Sequence, residues 1–115
     1  MAVYSNKNVV YDLMNEFIIA LENDLHDNLR AVILFGSYAR GDYETDSDID
    51  VCILLTNVSQ DATRRVRRLA SRVGLRYDTM VSSFIMDVKT FERYKHIEPI
   101  YKNILEDGYF YYDAN

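Results

Sequence analysis

GSYARGDYETDSDID, residues 36–50, decides how this chain folds. It closes one apolar run, AVILFG (31–36), and opens another, DIDVCILLT (48–56). Both runs are short, continuous and rich in β-branched residues, which is the pattern of buried strands. SYAR fits a single helical turn after the first strand, and GDYETDS is polar turn chemistry. In a strand, residues i and i+2 share a face. Asp48 and Asp50 therefore present two carboxylates side by side, with Ile49 turned into the core. Two unpaired carboxylates this close repel each other. A divalent cation relieves that, and hard oxygen ligands suit Mg²⁺ or Mn²⁺. Gly36 has a physical reason as well, because a phosphate must approach the backbone closely and a Cβ would block it. Ser37 offers a hydroxyl and a backbone N–H at the start of a helical turn, where anions are favoured.

Outward from this stretch, Val10, Leu13, Met14, Phe17, Leu21 and Leu25 recur at spacings of three and four, which predicts a helix over 6–28 capped by Ser5 or Asn6. Ser59 or Asp61 opens a second helix that runs to Val73, with Gly74 as its stop and Val66, Leu69, Ala70 and Val73 as its buried stripe. RYDTMVSSFIM (76–86) reads as a third strand. If it pairs with 48–56, Asp78 lands next to Asp50. Three carboxylates then hold two metal ions in the arrangement used for in-line phosphoryl or nucleotidyl displacement. Asp78 has two other readings, a turn cap or a partner for Arg76. Asp87 can cap a short helix around Lys89–Tyr94. Pro99 suits the first turn of a last helix ending before Gly108, and YFYYD (109–113) reads as a terminal edge strand. The order α-β-(turn)-β-α-β-α-α-β defines an α/β (α+β) fold, a small mixed sheet flanked by helices.

At 115 residues the chain is expected to be a single domain, residues 1–115. Its net charge of −5 argues against nucleic acid as a partner. The single cysteine, Cys52, forms no internal disulfide, which points to a reducing cytoplasm. No apolar run approaches the roughly 20 residues that span a bilayer, and the N-terminus lacks the apolar core of a signal peptide. The expectation is a cytoplasmic protein with no membrane partner. Cys52 lies inside an apolar strand and reads as inert core. His26 and His96 have no neighbours at metal-ligand spacing. Arg64, Arg65, Arg67, Arg68 and Arg72 crowd one helix, either as a solvated face or as a surface that steers an acidic partner. Arg40 either reaches a triphosphate or braces the 42–47 loop through Asp42, Glu44 or Asp46.

Gly36-Ser37, ten residues, then Asp48-x-Asp50 resembles the nucleotidyltransferase signature of the DNA polymerase β superfamily. The longer run GSYARGDYETDSDIDVCILL is similar to the GSxARGxxxxxSDxD run of its minimal nucleotidyltransferase (MNT) family, and the chain length, Asp78 and the ending KNILEDGYFYYD extend the likeness over nearly the whole chain. The resemblance implies the nucleotidyltransferase fold and transfer of a nucleoside monophosphate, AMP from ATP, to a hydroxyl. It implies Ser37 as phosphate binder, Asp48 and Asp50 as metal ligands and Asp78 as the third carboxylate, with two Mg²⁺ ions. Many members of that family are similar to antitoxins paired with a HEPN-domain ribonuclease toxin, some of which adenylylate a toxin Tyr. The alternative is a binding protein that keeps the fold and neutralises its partner by masking it.

Overall fold

Helix α1 (Lys7–Leu25) and a 3-10 turn (His26–Asn28) lead into strand β1 (Leu29–Phe35) in the computed structural model, which describes residues 7–44 and 46–114. Helical turn α2 (Ser37–Arg40), strand β2 (Ile49–Leu55), helix α3 (Gln60–Arg76) and strand β3 (Val81–Asp87) follow, then helices α4 (Val88–Tyr94) and α5 (Pro99–Asp107) and strand β4 (Tyr109–Asp113). This is the element order the sequence predicts. The expected α1 caps, Ser5 and Asn6, lie outside the described residues.

The four strands form one mixed sheet in the order β3-β2-β1-β4. β1 runs antiparallel to β2 and β4, whereas β2 and β3 are parallel. The parallel pair needs a crossover, and α3 supplies it. Alternation along β2 divides the core. Ile49, Val51, Ile53 and Leu55 face α1 and α3 with Val10, Leu13, Phe17, Leu21, Val66 and Val73. Cys52 and Leu54 face the other way, toward Phe91 of α4 and Ile104 of α5. Helices therefore cover both faces, and this explains why the two central strands read as unbroken apolar runs. Burial pushes the Cys52 thiol up to about 12, so it stays protonated, as an inert core residue should. Ion pairs tie α3 to α1, from Arg65 to Asp24 at 2.9 Å and from Arg76 to Glu16 at 2.7 Å. Among the described residues no helix is long and apolar enough to cross a membrane.

The two boundaries around Gly74 depart from expectation, and the causes are linked. Ser59 caps α3 as predicted, its hydroxyl accepting from the Ala62 N–H at 3.0 Å. Gly74 does not stop the helix, which continues through it to Arg76. The stop comes from Asp78 in the left-handed region, at φ +53°. The Thr79 N–H donates to the Gly74 carbonyl at 2.9 Å and the Asp78 N–H to that of Leu75 at 3.3 Å. These are the two bonds of a Schellman closure. β3 consequently starts at Val81 rather than at residue 76. Gly74 serves this closure through its missing side chain, because a Cβ there would meet the Thr79 carbonyl oxygen at 2.7 Å.

Gly74→Ala is therefore expected to destabilise the fold. Helix propensity favours Ala by about 1 kcal/mol, but overpacking against a backbone carbonyl costs about 1–3 kcal/mol. A lower urea midpoint with an unchanged slope is the expected result.

Candidate active site

The site begins where β1 ends. Gly36 has φ +76° and ψ −154°, a conformation essentially confined to glycine. It turns the chain into α2, and its carbonyl accepts the Ala39 and Arg40 N–H groups at 3.1 and 3.0 Å. Directly across the sheet from Phe35 stands Asp50. A Cβ on Gly36 would overlap Asp50 Oδ2. The glycine therefore makes room first for the carboxylate, and the close approach expected of a phosphate is already made by Asp50.

Asp50 lies on the α4/α5 face of β2, and Asp48, just before the strand, turns to the same side, where it meets Ser82. Asp48 is exposed and Asp50 half-buried. Burial, then the charge of Asp48, push the Asp50 carboxyl above its ordinary range, and nearby Arg40 pulls it partly back. Folding thus leaves a surplus of negative charge between two hard oxygen donors, and this fits a divalent cation such as Mg²⁺ or Mn²⁺. Below the two carboxylates, Phe35 meets Phe84 edge to face at 5.2 Å and gives the site an apolar floor.

The segment between Gly36 and Asp48 is tied down at several points. Tyr38 stacks on Tyr43 with ring centres 4.3 Å apart and planes 7° from parallel. Arg40 Nε donates to Asp42 Oδ2 at 3.1 Å, and its Nη1 donates to Asp107 Oδ2 at 3.3 Å. Of the two readings of Arg40, the structure displays the brace, with Asp107 at the end of α5 as a partner the sequence did not suggest. The Glu44 N–H donates to Ser47 Oγ at 2.8 Å, and the Ile49 N–H donates to the Met80 carbonyl at 2.9 Å, so both flanks of Asp48 are held. Ser37 is half-buried at the start of α2.

Asp78 is not brought to Asp50. The residue paired with Asp50 is Ser82, whose hydroxyl donates to Asp48 Oδ2 at 3.2 Å. Asp78 precedes Ser82 by four residues and is spent on the α3 closure, the turn-cap reading left open by the sequence. Among the described residues, no group of three His, Cys, Asp or Glu side chains stands where it could hold a metal ion. Ser82 was missed because the third strand was started five residues too early. The arginines of α3 lie on the opposite side of the sheet from Asp48 and Asp50. Arg65 among them is committed to Asp61 and Asp24.

A mixed sheet with a glycine-serine turn facing paired aspartates across two antiparallel strands defines a nucleotidyltransferase. The family model described as "Nucleotidyltransferase domain" matches residues 14–111. The chain belongs to the nucleotidyltransferase family and is an enzyme of this kind. Two Methanocaldococcus jannaschii proteins, MJ0141 and MJ0604, each carry the provisional name of a protein adenylyltransferase. MJ0141 is 40% identical over 77 residues, covering 66% of this chain and 78% of its own length. MJ0604 is 33% identical over 95 residues, covering 83% and 90%. The fold is also that of the matching chain in a toxin–antitoxin crystal structure with AMP-PNP, with a TM-score of 0.58 and 23% identity over 86% of this chain and 73% of that one. It is similar, too, to a chain of a complex between a tri-AMPylated Shewanella oneidensis HEPN toxin and its MNT antitoxin, with a TM-score of 0.52 and 20% identity over 89% and 73%.

The two glycines of the turn separate backbone strain from site occupancy. Gly36→Ala is expected to cost about 1–3 kcal/mol of stability and to displace Asp50. Gly41→Ala, at φ +87° with nothing within 4 Å of the new Cβ, should strain the backbone alone. Divalent-metal binding, followed by Mn²⁺ titration, is expected to fall sharply in the first variant and to persist in the second.

The carboxylate pair makes its own prediction. Because its folded-state value is raised, ionised Asp50 opposes folding at neutral pH, and that penalty shrinks as the pH falls through the raised value and is gone below the ordinary carboxylate range. Asp48→Asn with Asp50→Asn should therefore melt at the same temperature as the parent or higher at pH 7 in EDTA, and the difference should shrink toward pH 4.

Proposed function

We propose that this chain transfers AMP from ATP to a hydroxyl on a partner protein, a Tyr of a HEPN-type toxin, and so acts as the antitoxin of the pair. One observation carries the reading. The Gly36-Ser37 turn and the Asp48/Asp50 pair meet at one sheet end through the β1–β2 register. The names of the M. jannaschii relatives and the toxin–antitoxin neighbours support the acceptor class and the partner.

In this reading the phosphates of ATP lie against the Ser37 hydroxyl and the first N–H groups of α2. Asp48 and Asp50 would hold Mg²⁺. When bound, the metal neutralises phosphate charge and lowers the pKa of an acceptor hydroxyl. The acceptor oxygen attacks the α-phosphorus in line. Its new O–P bond forms as the bond to the β-phosphate oxygen breaks, pyrophosphate leaves and the hydroxyl proton passes to solvent. Asp50, pressed against Gly36, fixes the distance between the carboxylates and the phosphate turn. Arg40, through Asp42 and Asp107, keeps that turn in place. The exposed ring of Phe84 on the floor offers apolar contact to the incoming acceptor side chain.

The test is incubation of the purified chain with its co-expressed partner, ATP and Mg²⁺, followed by mass spectrometry of both. A mass gain of AMP on partner Tyr residues is expected, and its loss with Asp48→Asn/Asp50→Asn. A partner silenced at stoichiometric binding without any change in mass would establish masking instead. Ser37→Ala should slow transfer without abolishing it. A hydrogen bond to a charged group is worth about 1.5–3 kcal/mol, or roughly ten- to a hundredfold, while the backbone donors remain.

A further inference from the structure

We propose that Ser82 occupies the third-ligand position of this site and serves as the positioning residue of Asp48, so that the chain by itself holds one divalent cation rather than two. The inference rests on the assignment of Asp48 and Asp50 as metal ligands.

The register carries it. β2 and β3 are parallel with Asp50 opposite Ser82, and paired residues on neighbouring strands point to the same side about 4.8 Å apart. Phe84, two residues on, confirms the face by meeting Phe35. The position from which a side chain reaches both aspartates is thus filled by a hydroxyl, and its oxygen lies 3.2 Å from Asp48 Oδ2. The Asp48 backbone emerges from a loop and its side chain is exposed, so packing does not select its rotamer. The Ser82 hydrogen bond does, and a neutral donor adds no negative charge to a pair that already repels. The only other acid in the connection from α3, Asp78, is held away by the Schellman closure.

Charge sets the capacity. Two carboxylates balance one divalent cation. Among the described residues no third carboxylate stands with this pair, so a second cation would have to arrive with the anionic phosphates of the nucleotide. Position 82 therefore sets how strongly the metal-binding end of the site is formed before nucleotide binds. An aspartate there would complete a three-carboxylate cluster.

The experiment uses the full chain and Mn²⁺ alone at pH 8, with the free ion followed by electron paramagnetic resonance. Melting temperatures are measured in EDTA and in Mn²⁺, and circular dichroism checks the fold of each variant. The parent should bind one Mn²⁺ per chain. Ser82→Ala should bind the same number roughly three- to tenfold more weakly, the effect of one hydrogen bond at a part-exposed position. Ser82→Asp should melt lower than the parent in EDTA, bind Mn²⁺ at least about tenfold more tightly, and show the larger rise in melting temperature on adding it. Two ions on the parent, an Ser82→Ala variant that binds like the parent, or an Ser82→Asp variant that binds no more tightly would each overturn the proposal. Asp48→Asn/Asp50→Asn is titrated in parallel. Mn²⁺ binding that survives this change overturns the metal assignment itself. Binding that needs Asp48 and Asp50 but ignores position 82 overturns only the role of Ser82.

Discussion

The contact between Gly36 and Asp50 is the constraint on which the site depends. β1 and β2 are hydrogen-bonded neighbours, and their register sets Phe35 opposite Asp50. The next residue of β1 must then pass beside a carboxylate, and only a residue without Cβ can do so. The same residue must hold a positive φ to turn the chain into α2. Steric and torsional demands select glycine independently. The result is a fixed distance between a carboxylate and the start of a helical turn. That geometry would be lost if the register slipped by one residue, because a one-residue slip moves every side chain to the other face.

The rest of the molecule keeps that register. Both faces of the central strands are covered, with Leu13, Phe17, Leu21, Val66 and Val73 on one side and Phe91 and Ile104 on the other. Strands buried on both faces cannot slide without exposing apolar area, each square ångström of which is worth about 25 cal/mol. The surface ion pairs matter much less. Exposed pairs such as Arg40–Asp42 contribute at most about 1 kcal/mol. Their value lies in direction, since Arg40 links the turn after Gly36 to both its own loop and the end of α5. Together with the Tyr38–Tyr43 stack, they hold a polar loop in one arrangement, and preorganised dipoles and charges of this kind do not have to be rearranged during a reaction.

The acidic pair illustrates how a site differs from a core. Asp50 ionises against burial and against Asp48, and both effects oppose folding. Asp61, by contrast, is placed where charge is relieved. Its carboxyl is held below its ordinary range by Arg65 first. A position where the fold maintains unfavourable negative charge, at a strand end beside a glycine turn, is where a cation gains most.

The sequence alone determined the element order, both central strands, the α2 turn, the caps at Ser59 and Asp87, and the juxtaposition of Gly36, Ser37, Asp48 and Asp50. These follow from local rules, namely alternation, helical spacing, capping chemistry and two antiparallel strands joined by one short loop. The neighbour of Asp50 on the other side was not legible. It depends on where α3 stops, and Gly74 gave a false stop. Its missing side chain is explained by the Thr79 carbonyl folded back against it, a contact that no pattern of residue types displays. The true stop, Asp78 at positive φ, has no strong local signature, because aspartate is only occasionally found there. Five residues of error at that boundary exchanged Asp78 for Ser82. The link from Arg40 to Asp107, 67 residues away, is likewise a product of packing. α5 must first dock on the sheet before its last turn can face α2, so only the tertiary structure could decide it.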